Sequence, residues 1–334
     1  MDEFQSTECL YKIENDHVVI TACRSFDNVA WIPEEIEGYP VTELAPYAFS
    51  AARRTEPEGK WTTALEAGAG KQEAADERDV PPRLEGIRLK ELHLPSNMKK
   101  IGRYAFYNCE SWERLYFYGS LRDFGAGAFT GCKKVNFIDV TMEPGVKSGL
   151  KDIISELRQE LKVDYRIREN GENYLAAKLI FPEFYEEAVE NTPARIISSR
   201  THGSGHFYRY SFDGKEIKFR DYDGNFPEMI LLEREELCTQ MAINRIRYPY
   251  SLVQEHRKNY LEYLQEHDVT AARLALKAQD MELLKWVLSC VEFSREELEQ
   301  AVKAADECRN PEGLSFLMDY RHEHFKPKRK SFEL

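Results

Sequence analysis

A self-similarity at 23 residues constrains this chain more than any other feature. Residues 87–109 and 110–132 superimpose: Leu92 answers Leu115, Gly102 answers Gly125, Ala105 answers Ala128, Phe106 answers Phe129 and Cys109 answers Cys132. Leu94 and Ile101 are matched in character by Phe117 and Phe124, and the same step continues to Ile138 and Val140. A unit that short cannot enclose its own apolar face, so neighbouring units must stack and share one continuous core. Each unit is therefore expected to be a short strand and a turn that send Leu, Phe and Ala inward. Cys109 and Cys132 then fall on an inward ladder, where a thiol behaves as a small hydrophobe rather than as a redox or metal group. Gly125 and Gly127 are turn residues of the same repeat, not a nucleotide loop.

An earlier copy lies in VAWIPEEIEGYPVTELAPYAFS, with a strand expected at 29–32 and with Leu44, Ala48 and Phe49 answering Ile101, Ala105 and Phe106. The spacing Leu89, Leu92, Leu94 is the L-x-x-L-x-L pattern of leucine-rich repeats. With HLPSNMKKIGRYAFYNC and FYGSLRDFGAGAFTGC, residues 25–142 resemble the BspA-type leucine-rich-repeat family. The resemblance implies a repeat fold rather than an activity. Many members of that family are surface or secreted proteins, whereas this chain starts with Asp2, Glu3 and no long apolar run. Residues 51–86, rich in Ala, Gly and charge, are expected to form a mobile insert between copies.

The register also orders the residues that face away from the core. If Leu92 and Leu94 point inward, alternate positions point outward. Stacking at one repeat then lines up Trp31, His93, Tyr116 and Asp139, with Val29, Glu91, Arg114 and Phe137 beside them and Tyr118 beyond. Aromatic residues and arginine dominate protein interfaces. Trp31, Glu91, His93, Arg114, Tyr116, Tyr118, Phe137 and Asp139 are thus the candidate partner-binding residues. The competing expectation is that they lie under the insert or the C-terminal half of the same chain.

Beyond the repeats, the expected organisation is a repeat domain over 1–147, a capping helix over 148–162 and a small α+β unit over 163–230. Helical pairs follow over 231–325, with a basic tail over 326–334. The capping helix starts at Ser148 and carries Leu150, Ile153, Ile154, Leu157 and Leu161 on one face. Within the α+β unit a helix is expected from Pro182 through Val189. Strands are expected at 194–200, 206–212 and 215–221, with a hairpin turn at Asp213-Gly214. In the C-terminal half Leu284 and Leu314 are counterparts 30 residues apart, and Ser294 with Glu297 forms a capping box. Ala278, Asp280, Glu282 and Leu283 resemble the A-x-x-G-x-x-E-L of ankyrin repeats, although Asp268-Val269-Thr270-Ala271 stands where that family has T-P-L-H. The overall fold class is α+β: a short solenoid, a small mixed unit and an array of helical hairpins.

A net charge of -12 opposes general nucleic-acid binding, and no apolar run is long enough for a spanning helix. Seven cysteines without a Cys-x-x-Cys pair indicate reduced thiols and a cytoplasmic protein. No Walker loop, nucleophile elbow or His-Glu-x-x-His stands in the sequence, so neither catalysis nor a cofactor is expected. His202-Gly-Ser-Gly-His206 is the weak candidate for a metal or anion site. The leading expectation is a non-catalytic recognition or scaffold module with a protein partner, no nucleic acid and no membrane. The alternative is an enzyme or ligand sensor housed in 163–226 around that histidine loop.

Overall fold

A computed structural model of the chain describes residues 7–53, 55–62, 80–191 and 196–325, with 189–191 and 196–199 described through their backbone. Residues 54 and 63–79 of the expected insert, and the basic tail, lie outside the described residues. The chain divides into two compact units, Met1–Tyr222 and Asp223–Leu334.

The strands of the first unit are, in chain order, β1 (Glu8–Glu14), β2 (His17–Arg24), β3 (Val29–Trp31), β4 (Glu35–Ile36), β5 (Tyr39–Leu44) and β6 (Lys60–Trp61). They continue with β7 (Glu91–His93), β8 (Lys100–Ile101), β9 (Arg114–Tyr118), β10 (Asp123–Phe124), β11 (Phe137–Met142), β12 (Leu161–Glu169) and β13 (Glu172–Phe181). One sheet runs β3, β7, β9, β11, β12 in parallel, and antiparallel β13 closes its edge. Its register pairs Ala30, Leu92, Leu115, Ile138 and Val163 in one inward row. A second sheet orders β10, β8, β5, β2, β1 and β6, with β4 on β5.

The repeat explains this stacking atom by atom. Phe49, Phe106 and Phe129 form a buried ladder with ring centroids 5.5 and 5.6 Å apart. Cys109 Sγ donates to the Phe49 carbonyl and Cys132 Sγ to the Phe106 carbonyl, so each thiol ties one coil to the preceding one. Burial raises both thiols, Cys132 to about 12, which keeps them protonated and inert. A Cβ on Gly102 would lie 2.4 Å from Pro46 N, and one on Gly125 would lie 2.1 Å from Arg103 N. Coil-to-coil backbone contact therefore demands glycine at that point of the period. Leu92, Leu115 and Ile138 are fully buried, each stabilising the core by about 1.5–3 kcal/mol.

Several expectations are corrected. Helix α1 covers only Leu150–Glu156, and Leu161 starts β12 instead of extending the helix. Because β12 adds to β11 in parallel, α1 occupies the turn of one more coil, and β13 rather than α1 closes the sheet. The separate unit expected from 163 thus begins inside the repeat sheet. Tyr185–Asn191 is strand β14 paired with β15 (Ile196–His202), not a helix. The expected strand at 206–212 is instead helix α2 (Gly205–Arg209), held by Arg209 donating to the carbonyls of Ile154, Leu157, Gln159, Pro182 and Gly205. The hairpin β16 (Phe212–Asp213) and β17 (Glu216–Ile217) turns at Gly214-Lys215, one residue later than expected, and α3 spans Phe219–Gly224. The described ends of the insert are anchored: β6 pairs with β1, and Leu84 is 1% exposed.

In the second unit helices follow one another as α4 (Phe226–Leu232), α5 (Glu235–Arg247), α6 (Gln254–Glu266), α7 (Asp268–Lys277), α8 (Met281–Cys290), α9 (Arg295–Glu307) and α10 (Pro311–His324). α5, α7 and α9 pack side by side, while α6, α8 and α10 pair with them in turn. Asp280 caps α8 and Asn310 caps α10, 30 residues later, each through a side-chain oxygen accepting a backbone N–H. Ser294 and Glu297 make the expected capping box. Among the described residues no helix is long and apolar enough to cross a membrane.

Candidate partner-binding groove

The outward row of the repeat sheet is a stack of rings. The register sets Trp31 beside His93, His93 beside Tyr116 and Tyr116 beside Asp139. Trp31 and His93 stack at 3.3 Å between centroids and 11° between planes, and His93 and Tyr116 at 4.0 Å and 9°. Phe137 tilts against Tyr116 at 5.8 Å. The rings stand upright from the sheet, each held between its neighbours, while Trp31 at the open end keeps 43% of its surface exposed. The Trp31 N–H donates to Thr7 Oγ1 at 2.9 Å, which pins the edge strand beneath the ring.

Polar groups lock the same surface. Glu91 Oε1 lies 2.7 Å from His93 Nε2. Burial holds the His93 imidazole below its ordinary value despite that carboxylate, so the ring is neutral at pH 7. Burial likewise raises the Tyr116 phenol, and nearby Glu91 adds to the shift. Asp139 accepts from Arg166 Nε through both oxygens, at 2.8 and 3.1 Å. Burial nevertheless raises the Asp139 carboxyl, while Asp139 raises Arg166. The Arg114 guanidinium lies 5.7 Å from the Phe137 ring, and that of Arg168 lies 5.1 Å from Tyr118.

Above the row lies a groove of about 750 Å³ whose lining includes Trp31, His93, Tyr116, Tyr118, Asp139 and Arg166. That volume suits a small ligand or the anchor side chains of a peptide. Five of the eight residues expected to bind a partner line it, and Glu91, Arg114 and Phe137 stand beside it against its rings and charges. Arg166 and Asn173 escaped the sequence reading because β12 follows β11 at 25 residues rather than 23. Its inward Leu161, Val163 and Ile167 were the available signal.

The histidine loop is not drawn together into a ligand set. His202 stacks on Tyr185 at 4.5 Å with its Nε2 3.3 Å from Glu187. His206, on α2, packs against Phe207 at 3.8 Å and keeps a buried Nδ1 without a hydrogen-bond partner among the described residues. Among the described residues no cluster of three or more His, Cys, Asp or Glu has metal-binding geometry.

Comparison with known proteins fits the repeat geometry. Residues 84–151 match the family model described as "BspA type Leucine rich repeat region (6 copies)". No curated protein is significantly similar to the chain. A crystal structure of a T. pallidum leucine-rich repeat protein shares 17% identity over 42% of this chain and 73% of that one, at a TM-score of 0.22, too low to carry an argument. Residues 84–151 thus match the BspA-type leucine-rich repeat model, within a mixed α+β chain whose first unit contains a solenoid with that repeat.

Proposed function

We propose that the outward face of the repeat sheet is a docking surface for a protein partner, and that the chain is a non-catalytic recognition or scaffold module acting in the cytoplasm. The ring stack of Trp31, His93 and Tyr116, open to a groove of about 750 Å³, carries this reading. Rings fixed by their neighbours before a partner arrives lose little further freedom on binding, so more of the contact energy becomes affinity. A cytoplasmic setting fits seven free cysteines, five of them buried. The ankyrin-like reading of the second unit stays a proposal, supported by its paired helices and the 30-residue recurrence of its caps. An enzymatic or ligand-sensing role around His202 and His206 draws on the unpartnered Nδ1 of His206 alone.

The test is a quantitative pull-down comparing wild type with the Tyr116→Ala/Arg114→Ala double variant, each checked for its melting temperature. Proteins retained by the wild type and lost by a folded double variant support the surface. An unchanged set of partners on a folded double variant moves the docking site elsewhere.

A further inference from the structure

The docking reading leaves open which chemistry the groove accepts, and the arginines at one end of it supply a criterion. On β12, Arg166 and Arg168 stand two residues apart and so share the outward face. Each spends its Nε alone: Arg166 Nε on Asp139, and Arg168 Nε on Asn173 Oδ1 at 3.1 Å. Among the described residues neither Nη atom of either guanidinium has a hydrogen-bond partner, and those atoms carry four of the five N–H donors of each group. Arg168 otherwise only overlies the Tyr118 ring.

Four carboxylates around the groove are engaged. Asp139 is held by Arg166. Asp164 lies 3.5 Å from Lys178. Glu91 is bound to His93. Glu34 accepts from the Ser96 backbone N–H and Oγ, both at 2.8 Å. Arg166 lines the groove itself, whereas Arg168 lines a hollow that shares Tyr118 and Thr141 with it and also holds Arg122 and Glu143. Around Arg166 the free donors outnumber the free acceptors, an arrangement that suits an anionic acceptor. On a chain of net charge -12 this local excess of donors also discriminates, because the rest of the surface repels acidic partners.

Spacing turns the criterion into a pattern. From Tyr116 on β9 to Arg166 on β12 is two strand steps across and two residues along, roughly 12 Å, or about three to four residues of extended peptide. We infer that the groove binds an acidic protein segment whose apolar or aromatic anchor lies about three to four residues from a pair of carboxylates. The anchor lies on the Trp31–His93–Tyr116 stack, and the carboxylates take the Nη atoms of Arg166 and Arg168. This rests on the docking reading above and adds the partner's chemistry.

The probe is a phage-displayed library of random dodecapeptides selected on the purified full chain, followed by fluorescence anisotropy with the selected peptides synthesised. Selected sequences should carry clustered Asp or Glu beside an apolar anchor. They should bind Arg166→Gln/Arg168→Gln roughly ten- to hundredfold more weakly, the loss expected for charge-assisted hydrogen bonds. Arg168→Gln alone preserves the Asp139–Arg166 pair and should still weaken binding several-fold, which decides the matter if the double variant melts early. Neutral or basic winners that nevertheless depend on Tyr116 overturn the acidic assignment and leave the docking surface standing. Winners indifferent to Tyr116 and to both arginines overturn both readings. Failure to select any peptide overturns this proposal.

Discussion

The two units join their successive elements by different physics. In the solenoid, adjacent coils are zipped by backbone hydrogen bonds, so the register is fixed to the residue and outward side chains must become neighbours. That is why Trp31, His93 and Tyr116 stack. In the helical unit, neighbouring helices meet through small side chains such as Ala271, Ala275, Ala301 and Ala305, all buried. What recurs there is caps and left-handed turn residues, Gln279 with Asp280 and Arg309 with Asn310, rather than rows of outward rings. Backbone pairing thus makes a surface predictable from spacing, whereas side-chain packing of helices makes only a core predictable.

Separate substitutions should break the two units in different ways. The largest effect belongs to Asp223 in the helical unit, whose carboxylate pairs with Arg245 at 2.7 Å, both side chains fully buried, and accepts from Tyr260 Oη. Asp223→Ala leaves a buried guanidinium without its counter-ion and should cost about 3–5 kcal/mol, seen as an early melt of helical circular dichroism. In the solenoid the matching loss is apolar: Leu115→Ala opens a cavity costing about 2–5 kcal/mol, and urea titration should report it with the helical signal still cooperative. If either variant melts both units together, they are not independent and the comparison fails.

A smaller, pH-dependent effect sits at Asp268. Burial pushes its carboxyl up to about 6, against the hydrogen bond it accepts from Val269 N–H and with the help of nearby Glu297. Among the described residues its buried Oδ2 makes no hydrogen bond within normal geometry, with Glu297 as its charged neighbour. A group raised in the folded state favours folding fully below its unfolded value, about 3.9 for aspartate, and that contribution is lost as pH rises through about 6. Asp268→Asn should therefore raise Tm at pH 7.5, with the full shift of about 3 kcal/mol reduced by solvent screening to about 1–2 kcal/mol at stake, and change little at pH 4. An equal shift at both pH values would deny the protonation account.

The smallest stability effect is expected at Tyr116. As an exposed interface residue it would cost no more than about 0.5 kcal/mol on truncation. Stacked on His93 and tilted against Phe137, it should instead cost about 0.5–1.5 kcal/mol. Thermal melts of Tyr116→Ala resolve the two values.

The repeat, its inward ladder and the neighbours in the outward row were legible because each follows from a 23-residue step. The hairpin of β1 and β2 was not, since HVVITACR is a nearly continuous buried run with no period to reveal its pairing. β14 escaped because Tyr185–Asn191 holds its conformation through cross-strand pairing with β15, which local helical spacing does not encode. The charged half of the groove was illegible for a similar reason. Arg166 comes to Asp139 through a lengthened coil in which α1 replaces the usual turn.

The central claim is that the exposed ring row meets another protein rather than the chain's own remainder. Photo-crosslinking with benzoylphenylalanine in place of Trp31, in cells expressing the full chain, addresses it directly. The account predicts a crosslinked species heavier than the chain by the mass of a different protein, lost when Tyr116→Ala is added. Crosslinks found only within the chain itself would contradict it.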